Sequence, residues 1–135
     1  MFKAIRNRFK FALGLIAVSA IAFTSGTNTY SGDITLAADS TIKSTSGNQT
    51  ISGAINGAYA ATITATDNLT LSGTIGATAP PTSLTVTTTC DSTCSTATRT
   101  GVLALNANVT TAGTQNYTAA GGITINANRT LATTP

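Results

Sequence analysis

Few side chains of this sequence could carry out chemistry, and those few are widely spaced. The chain contains no histidine and no glutamate, and its four aspartates are spread over about sixty residues. They are Asp33, Asp39, Asp67 and Asp91. Acid-base catalysis and glycoside hydrolysis both need carboxylates brought together in one cleft. We therefore expect no catalytic residues, no cofactor and no enzymatic activity.

A metal site is not indicated either. Calcium-binding solenoids repeat Gly-Gly-x-Gly-x-Asp, and this pattern is missing from the sequence. Asp39 and Asp67 follow short strand-like segments, where a carboxylate commonly accepts hydrogen bonds from the backbone of a turn. We expect these two aspartates to stabilise turns and not to bind a cation.

The two cysteines, Cys90 and Cys94, are the remaining candidates, and the sequence leaves two arrangements open. In an exported protein they favour one disulfide, which would close the Asp-Ser-Thr loop between them after a strand at 84–88. Alternatively, a shift of 19 residues aligns them with Leu71 and Ile75. That register predicts two buried thiols about 13 Å apart on an extended strand, which is too far for a bridge.

The first two dozen residues have the pattern of a secretory signal peptide. Four basic residues precede about thirteen uncharged, mostly apolar residues and two alanines in the small-x-small spacing of a cleavage site. These features are Lys3, Arg6, Arg8 and Lys10, the apolar run at 11–23, and Ala20 with Ala22. We predict a signal-peptide helix over 1–22, cleaved after Ala22, and a secreted or cell-surface domain over 23–135.

The charge of the chain belongs mostly to this N-terminal segment. The whole sequence has a formal net charge of +3, but beyond Ala22 three basic residues face four aspartates, which leaves −1. Nucleic-acid binding depends on basic residues that neutralise phosphates and on aromatic rings that stack on bases. Neither is concentrated anywhere after Ala22, so we expect no nucleic-acid partner.

The rest of the chain is built on a repeat of about twenty residues. Ile51-Ser-Gly-Ala-Ile55 matches Leu71-Ser-Gly-Thr-Ile75 at a shift of 20, and Leu103 and its neighbours match Ile123 and its neighbours at the same shift. A further run of aliphatic positions steps by 21, 21, 19 and 20 residues. This run is Ile42, Ile63, Leu84, Leu103 and Ile123. Constant spacing of this kind predicts one structural coil per repeat.

Within each repeat, aliphatic residues alternate with threonine, as in Ile63-Thr-Ala65 and Leu84-Thr-Val86. This period of two is typical of half-buried strands, and glycine, asparagine and aspartate mark the turns between them. In-register recurrence favours a solenoid over an antiparallel sandwich, because stacked coils place like aliphatic residues above one another. We predict an all-β fold, a right-handed parallel β-helix (β-solenoid) with coils of about 20 residues.

Two similar sequence segments resemble the repeat of a known family. Gly-Thr-x-x-Tyr followed by Ile-Thr-Leu/Ile-x-Ala-Asp/Asn-x-Thr-Leu/Ile occurs at 26–42 and again at 113–131. Over 26–134 the chain resembles filamentous-haemagglutinin-like bacterial adhesins, a group of autotransporter-type β-helix repeat proteins. The resemblance implies a surface-displayed β-helix that serves cell attachment or forms a structural stalk. It also implies outer-membrane secretion machinery and a glycan or protein partner on a host or neighbouring cell.

Full-length relatives of this kind carry a dedicated secretion or translocator domain, which this sequence lacks, and the repeat is still in progress at 131–135. We therefore expect an N-terminal fragment of an adhesin, with a non-functional truncated gene as an alternative. Because nothing after Ile123 predicts a cap over the last coil, self-association through an open coil edge is also expected.

Threonine supplies a second functional alternative. The segments Thr62-Ile-Thr64 and Thr85-Val-Thr87 resemble the T-x-T patterns of ice-binding solenoids, in which methyls and hydroxyls form a flat array. Three other strand segments lack the paired threonines, which predicts that the array is interrupted. They are Ile34-Thr-Leu36, Leu103-Ala-Leu105 and Ile123-Thr-Ile125. Tyr30, Tyr59 and Tyr117 are candidates for stacking on sugars, although their position beside the repeated segment favours packing at turns.

Overall fold

The computed structural model describes residues 15–16, 20–23, 26–90 and 101–135, which form a parallel β-solenoid of about four turns. Successive strands pass through three faces in turn, and each face is a parallel sheet, named here A, B or C. No helix occurs in the described ranges. The predicted all-β parallel solenoid is confirmed.

The strands are numbered in chain order and grouped by sheet. Sheet A contains β1 (Leu15–Ile16), β4 (Ile34–Thr35), β7 (Ile55–Asn56), β12 (Val109–Thr111) and β15 (Leu131–Thr133), and Ile75 bridges β7 and β12. Sheet B contains β2 (Ala20–Phe23), β5 (Ser40–Ser44), β8 (Ala60–Ala65), β10 (Ser83–Thr88) and β13 (Gln115–Ala119). Sheet C contains β3 (Asn28–Tyr30), β6 (Gln49–Ile51), β9 (Leu69–Leu71), β11 (Val102–Leu105) and β14 (Gly122–Ile125).

The core lies inside the coils and is made of stacked aliphatic side chains. Alternate residues of each strand point inward, and none of the core side chains is more than 7% exposed. The central columns are Ile42, Ile63 and Val86 in sheet B, Tyr30, Ile51, Leu71 and Leu105 in sheet C, and Ile34, Ile55, Ile75 and Val109 in sheet A. Burying each large aliphatic side chain contributes about 1.5–3 kcal/mol. The stack therefore derives its stability from contacts between neighbouring coils.

The predicted register holds for two pairs of coils. Leu71 lies beside Ile51, and Ile123 lies beside Leu103, as the twenty-residue repeat requires. Because parallel strands stack without offset at these positions, like side chains lie above one another.

The longer run of aliphatic positions is wrong at Leu84, both in the step from Ile63 and in the step to Leu103. Leu84 lies opposite Ala61, and the partner of Ile63 is Val86, 23 positions later. Leu103 lies in sheet C beside Leu69, 34 positions away, and so is not in the same column as Leu84. The offset at Leu84 arises in the connection from Ile75 to β10, which is longer than the one from β7 to β8. The displacement of Leu103 arises in the connection from β10 to β11, which is longer than the other connections between sheets B and C.

The two similar sequence segments occupy different faces of the solenoid. Tyr30 lies in sheet C whereas Tyr117 lies in sheet B, and the isoleucines that follow them lie in sheet A and sheet C. The repeated segment therefore corresponds to a strand-turn-strand pattern that all three faces share. It does not mark one fixed corner of the coil.

Most of the predicted signal peptide lies outside the described residues. Its described parts are two short strands, β1 and β2, which run parallel to β4 and β5. At 15–16 and 20–22 the predicted helix is therefore wrong, whereas the rest of that helix lies outside the described residues and the cleavage after Ala22 stays a prediction. In the described ranges, no segment forms a helix long and apolar enough to cross a membrane.

The corner between sheets C and A requires glycine in the early coils. Gly53 lies so close to the carbonyl oxygen of Gly32 that a Cβ atom on Gly53 would overlap it, and Gly73 approaches Gly53 in the same way. In the next coil the equivalent position is Ala107. The repeated Ser-Gly pair thus marks the positions where the backbones of two coils are closest.

Candidate functional site

The three described aspartates connect neighbouring coils. In each case a carboxylate oxygen accepts a hydrogen bond from a backbone N–H of the adjacent coil. The bonds join Asp33 Oδ1 to Ala54 N at 2.9 Å, Asp39 Oδ1 to Ala60 N at 2.9 Å and Asp67 Oδ2 to Gly47 N at 2.7 Å. Asp39 and Asp67 therefore serve backbone turns, as the sequence predicts. The fourth aspartate, Asp91, lies outside the described residues.

Three asparagines make the same kind of bond, which the sequence analysis missed. Their side-chain oxygens accept backbone N–H groups 22 to 34 residues further along the chain. The bonds join Asn56 Oδ1 to Thr78 N, Asn68 Oδ1 to Val102 N and Asn108 Oδ1 to Thr130 N. In the sequence, these residues can be recognised as an Asp or Asn at the end of a predicted strand. Within the described ranges, no three metal-binding side chains lie together.

The cysteine pair is described only in part. Cys90 is half-buried after β10 and is disulfide-bonded. Cys94 lies outside the described residues, so its pairing with Cys90 stays a prediction. The alternative register, which placed Cys90 beside Leu71, is wrong because Leu71 pairs with Leu105. Cys90 lies at the start of the long connection between β10 and β11, outside the aliphatic columns.

The tyrosines differ in how far they face solvent. Tyr30 belongs to the core, and both its burial and the nearby negative charge of Asp33 raise the pKa of its phenol. Tyr117 is half-buried, its hydroxyl donates a hydrogen bond to Gln115 Oε1 at 2.8 Å, and burial raises its pKa to about 12. Tyr59 is 41% exposed. Two of the three rings therefore pack against the solenoid and do not present a surface to sugars.

The outward face of sheet B repeats one residue type in two directions. Strands β5, β8 and β10 present eight alternate residues outward, of which five are threonine and the others are Lys43, Ala60 and Ser83; the residue directly after each strand is also a threonine. We call nine of these residues the threonine face: Thr41, Lys43, Thr45, Thr62, Thr64, Thr66, Thr85, Thr87 and Thr89. Neighbouring positions lie about 4.8 Å apart across strands and about 6.6 Å apart along a strand.

The register aligns these residues across the strands. Thr62 lies between Thr41 and Thr85, and Thr64 lies between Lys43 and Thr87. The third row, which begins at Thr45, follows at the next alternate position, and a hydrogen bond from Thr89 N to Ala65 O continues the ladder there. On the far side of β10, strand β13 adds Asn116 and Thr118 to the first two rows.

The three segments that were expected to interrupt the threonine array lie on other faces of the solenoid, and the interruption on sheet B is at Lys43. Ile34 and Thr35 belong to sheet A, and the segments at 103–105 and 123–125 belong to sheet C. None of them therefore faces the same way as the threonines of sheet B. The aligned residues on the outward face of sheet C form a single row, which is Thr29, Thr50, Thr70, Ala104 and Thr124.

A groove of about 460 Å³ crosses the threonine face around Thr64. Besides six residues of that face, it is lined by Ser44 and Ala65. Thr64 Oγ1 is buried and has no hydrogen-bond partner, whereas the hydroxyl of Thr66 donates to the Ser44 carbonyl at 3.2 Å. Lys43 is the single charged residue of the face. The site is thus a nearly uncharged sheet of hydroxyls and methyls.

No protein-family profile, curated protein or solved structure matches the chain.

Proposed function

We propose that this chain is a non-enzymatic, exported β-solenoid of the adhesin type, which serves cell attachment or forms a structural stalk. The observation that supports the proposal is that the polar side chains at the corners of the solenoid form hydrogen bonds between coils. The described aspartates and three corner asparagines bond coil to coil. They do not converge on a cleft in which a reaction could take place.

A stack of this kind is suited to mechanical display. Each coil lengthens the stack by about 4.8 Å, and each is held to the next by three parallel sheets and by side-chain bonds at the corners. Because every coil contacts only its neighbours, the outward residues can vary without disturbing the aliphatic columns. Stiffness and a variable surface are both properties that attachment requires.

The route and the partner follow from the resemblance to filamentous-haemagglutinin-like adhesins. We propose that the N-terminal segment directs export, that outer-membrane secretion machinery carries the solenoid to the surface, and that it binds a glycan or protein of a host or neighbouring cell. The net charge of −1 beyond Ala22 supports a partner other than nucleic acid, because phosphates bind basic surfaces.

Export is tested by expressing the full chain in a Gram-negative host and measuring the intact mass of the product outside the cytoplasm. We expect a mass that lacks residues 1–22. A product that stays in the cytoplasm with this segment attached would contradict export.

Attachment is tested with beads coated with the purified full chain and mixed with bacterial and eukaryotic cells. We expect the beads to adhere, and treatment of the cells with glycosidase or protease to show which partner is bound. The matched control is Val86→Asp, which buries a charge at a position with 0% exposure and unfolds the coil. Equal adhesion by wild type and this variant would overturn the proposal.

A further inference from the structure

We infer that the threonine face binds ice, the ordered surface of crystalline water. The inference goes beyond the attachment function and is independent of it, because it uses one face of the solenoid and no partner molecule. It depends on the two-dimensional order of the nine positions and on their near absence of charge.

The first step is geometric. Three adjacent strands hold threonine in two aligned rows, interrupted only by Lys43, and a third row extends them. Parallel strands fix the spacing across the sheet at about 4.8 Å, and the pleat fixes the spacing along each strand at about 6.6 Å. The face therefore presents a nearly rectangular lattice with two constant repeats. The surface of a molecular crystal also has two constant repeat distances, so a crystal is a partner that such a lattice can match.

The second step concerns the side chains. A threonine hydroxyl both donates and accepts hydrogen bonds, while its methyl group orders the water around it. Because threonine branches at Cβ, its χ1 angle is restricted, and the strands on either side of β8 hold the backbone in place. The hydroxyls and methyls are thus held in position before binding, which lowers the entropy that binding costs.

The single charged residue of the face distinguishes between ice and an acidic glycan as the binding partner. An anionic partner would pair with the ammonium group of Lys43, so removing that charge would weaken binding. An ice surface gains nothing from one cation, and the long flexible side chain interrupts the row formed by Thr64 and Thr87. The two partners therefore predict opposite effects for Lys43→Thr.

The test measures thermal hysteresis and inhibition of ice recrystallisation by the purified full chain. We expect the wild type to show both. Thr64→Tyr places a bulky ring at the centre of the lattice and should reduce the activity about tenfold, as loss of a central contact does. Lys43→Thr completes the first two rows and should raise the activity about twofold or more.

The matched control is Thr70→Tyr, which makes the same substitution on the single threonine row of sheet C. It should leave the activity unchanged. Circular dichroism and thermal unfolding of each variant confirm its fold, and if Thr64→Tyr does not fold, the nearly isosteric Thr64→Val replaces it.

Absence of thermal hysteresis in the wild type overturns the inference. An equal loss in Thr70→Tyr, or a loss in Lys43→Thr, overturns it as well. Attachment to cells is measured with no ice present, so either proposal can fail while the other stands.

Discussion

Asp67 is the residue with the shortest of the carboxylate bonds between coils. Its Oδ2 accepts the backbone N–H of Gly47 at 2.7 Å, twenty residues earlier in the chain. Asp67→Ala leaves that half-buried N–H without its acceptor, and we expect the free energy of unfolding to fall by about 1–3 kcal/mol. Urea unfolding followed by circular dichroism measures the change.

Asp67→Asn is the matched variant, because its amide keeps an oxygen at the same position. We expect it to lose less than half as much stability as Asp67→Ala. Equal losses in the two variants would mean that the bond to Gly47 is not what the carboxylate contributes.

Tyr117 makes stability depend on alkaline pH. Burial raises the pKa of its phenol from an ordinary value of 10.0 to about 12. The folded state therefore favours the protonated ring, and this contribution is complete below pH 10 and is lost as the pH rises through about 12. Tyr30, whose pKa is also raised, acts in the same direction.

We expect the melting temperature to fall between pH 10 and pH 12 and Tyr117→Phe to reduce that fall. A tyrosinate absorbance titration of the folded chain identifies the group. Tyr59→Phe is the control, since Tyr59 is 41% exposed, and its profile should follow the wild type. A pH profile that Tyr117→Phe leaves unchanged would contradict the assignment.

At the scale of elements, the corner between sheets C and A brings the backbones of neighbouring coils close together. We expect Gly53→Ala to destabilise the solenoid by about 1–3 kcal/mol, because the new methyl group overlaps the carbonyl of Gly32. Chemical denaturation measures the loss.

The control is Ala107→Gly, at the equivalent corner of a later coil, which should cost about 1 kcal/mol or less. If the two substitutions cost the same, close packing of the coils is not the reason for glycine at this corner.

The sequence predicts the strands well and their faces less well, for a physical reason. Alternation of aliphatic residues and threonine depends only on burial of one side of a strand, so it identifies β5, β8 and β10 correctly. Which sheet a strand joins depends on the length of every earlier connection. The long connection between β10 and β11 therefore displaces Leu103 from its predicted column, and Cys90 lies within that connection.

The candidate site shows the same limit. Its T-x-T segments were visible in the sequence, but segments from other faces were counted as interruptions of the array. Only the assignment of Thr35 to sheet A and of Ala104 to sheet C removes that objection. The unpaired hydroxyl of Thr64 depends on packing between three strands, and no sequence pattern indicates it.

At the scale of the whole molecule, burial changes sharply along the stack. Ile123 and Ile125 are 46% and 49% exposed, whereas their neighbours in the preceding coil, Leu103 and Leu105, are 0% and 1% exposed. Leu131 is 40% exposed beside Val109 at 1%. The inward side chains of the last described coil thus meet solvent. Within the described ranges β14 is the edge strand of sheet C, and such an edge accepts a further strand.

In a polypeptide that stops at Pro135, this edge is free to pair with a second copy. We expect the purified full chain to self-associate in a concentration-dependent way, measured by sedimentation velocity. Ile125→Lys places a charge on the inward side of β14 and should shift the distribution toward monomer, because burying an unpaired charge between two copies is costly. Its own stability should change little, since the side chain is already 49% exposed.

Thr124→Lys is the matched control, with the same charge one residue away on the outward side of the same strand. It should associate as the wild type does, because the lysine then points away from the surface where two copies stack. A wild-type chain that is monomeric at high concentration would contradict pairing through this edge. So would equal dissociation in the two variants, since a general charge effect would then explain the result.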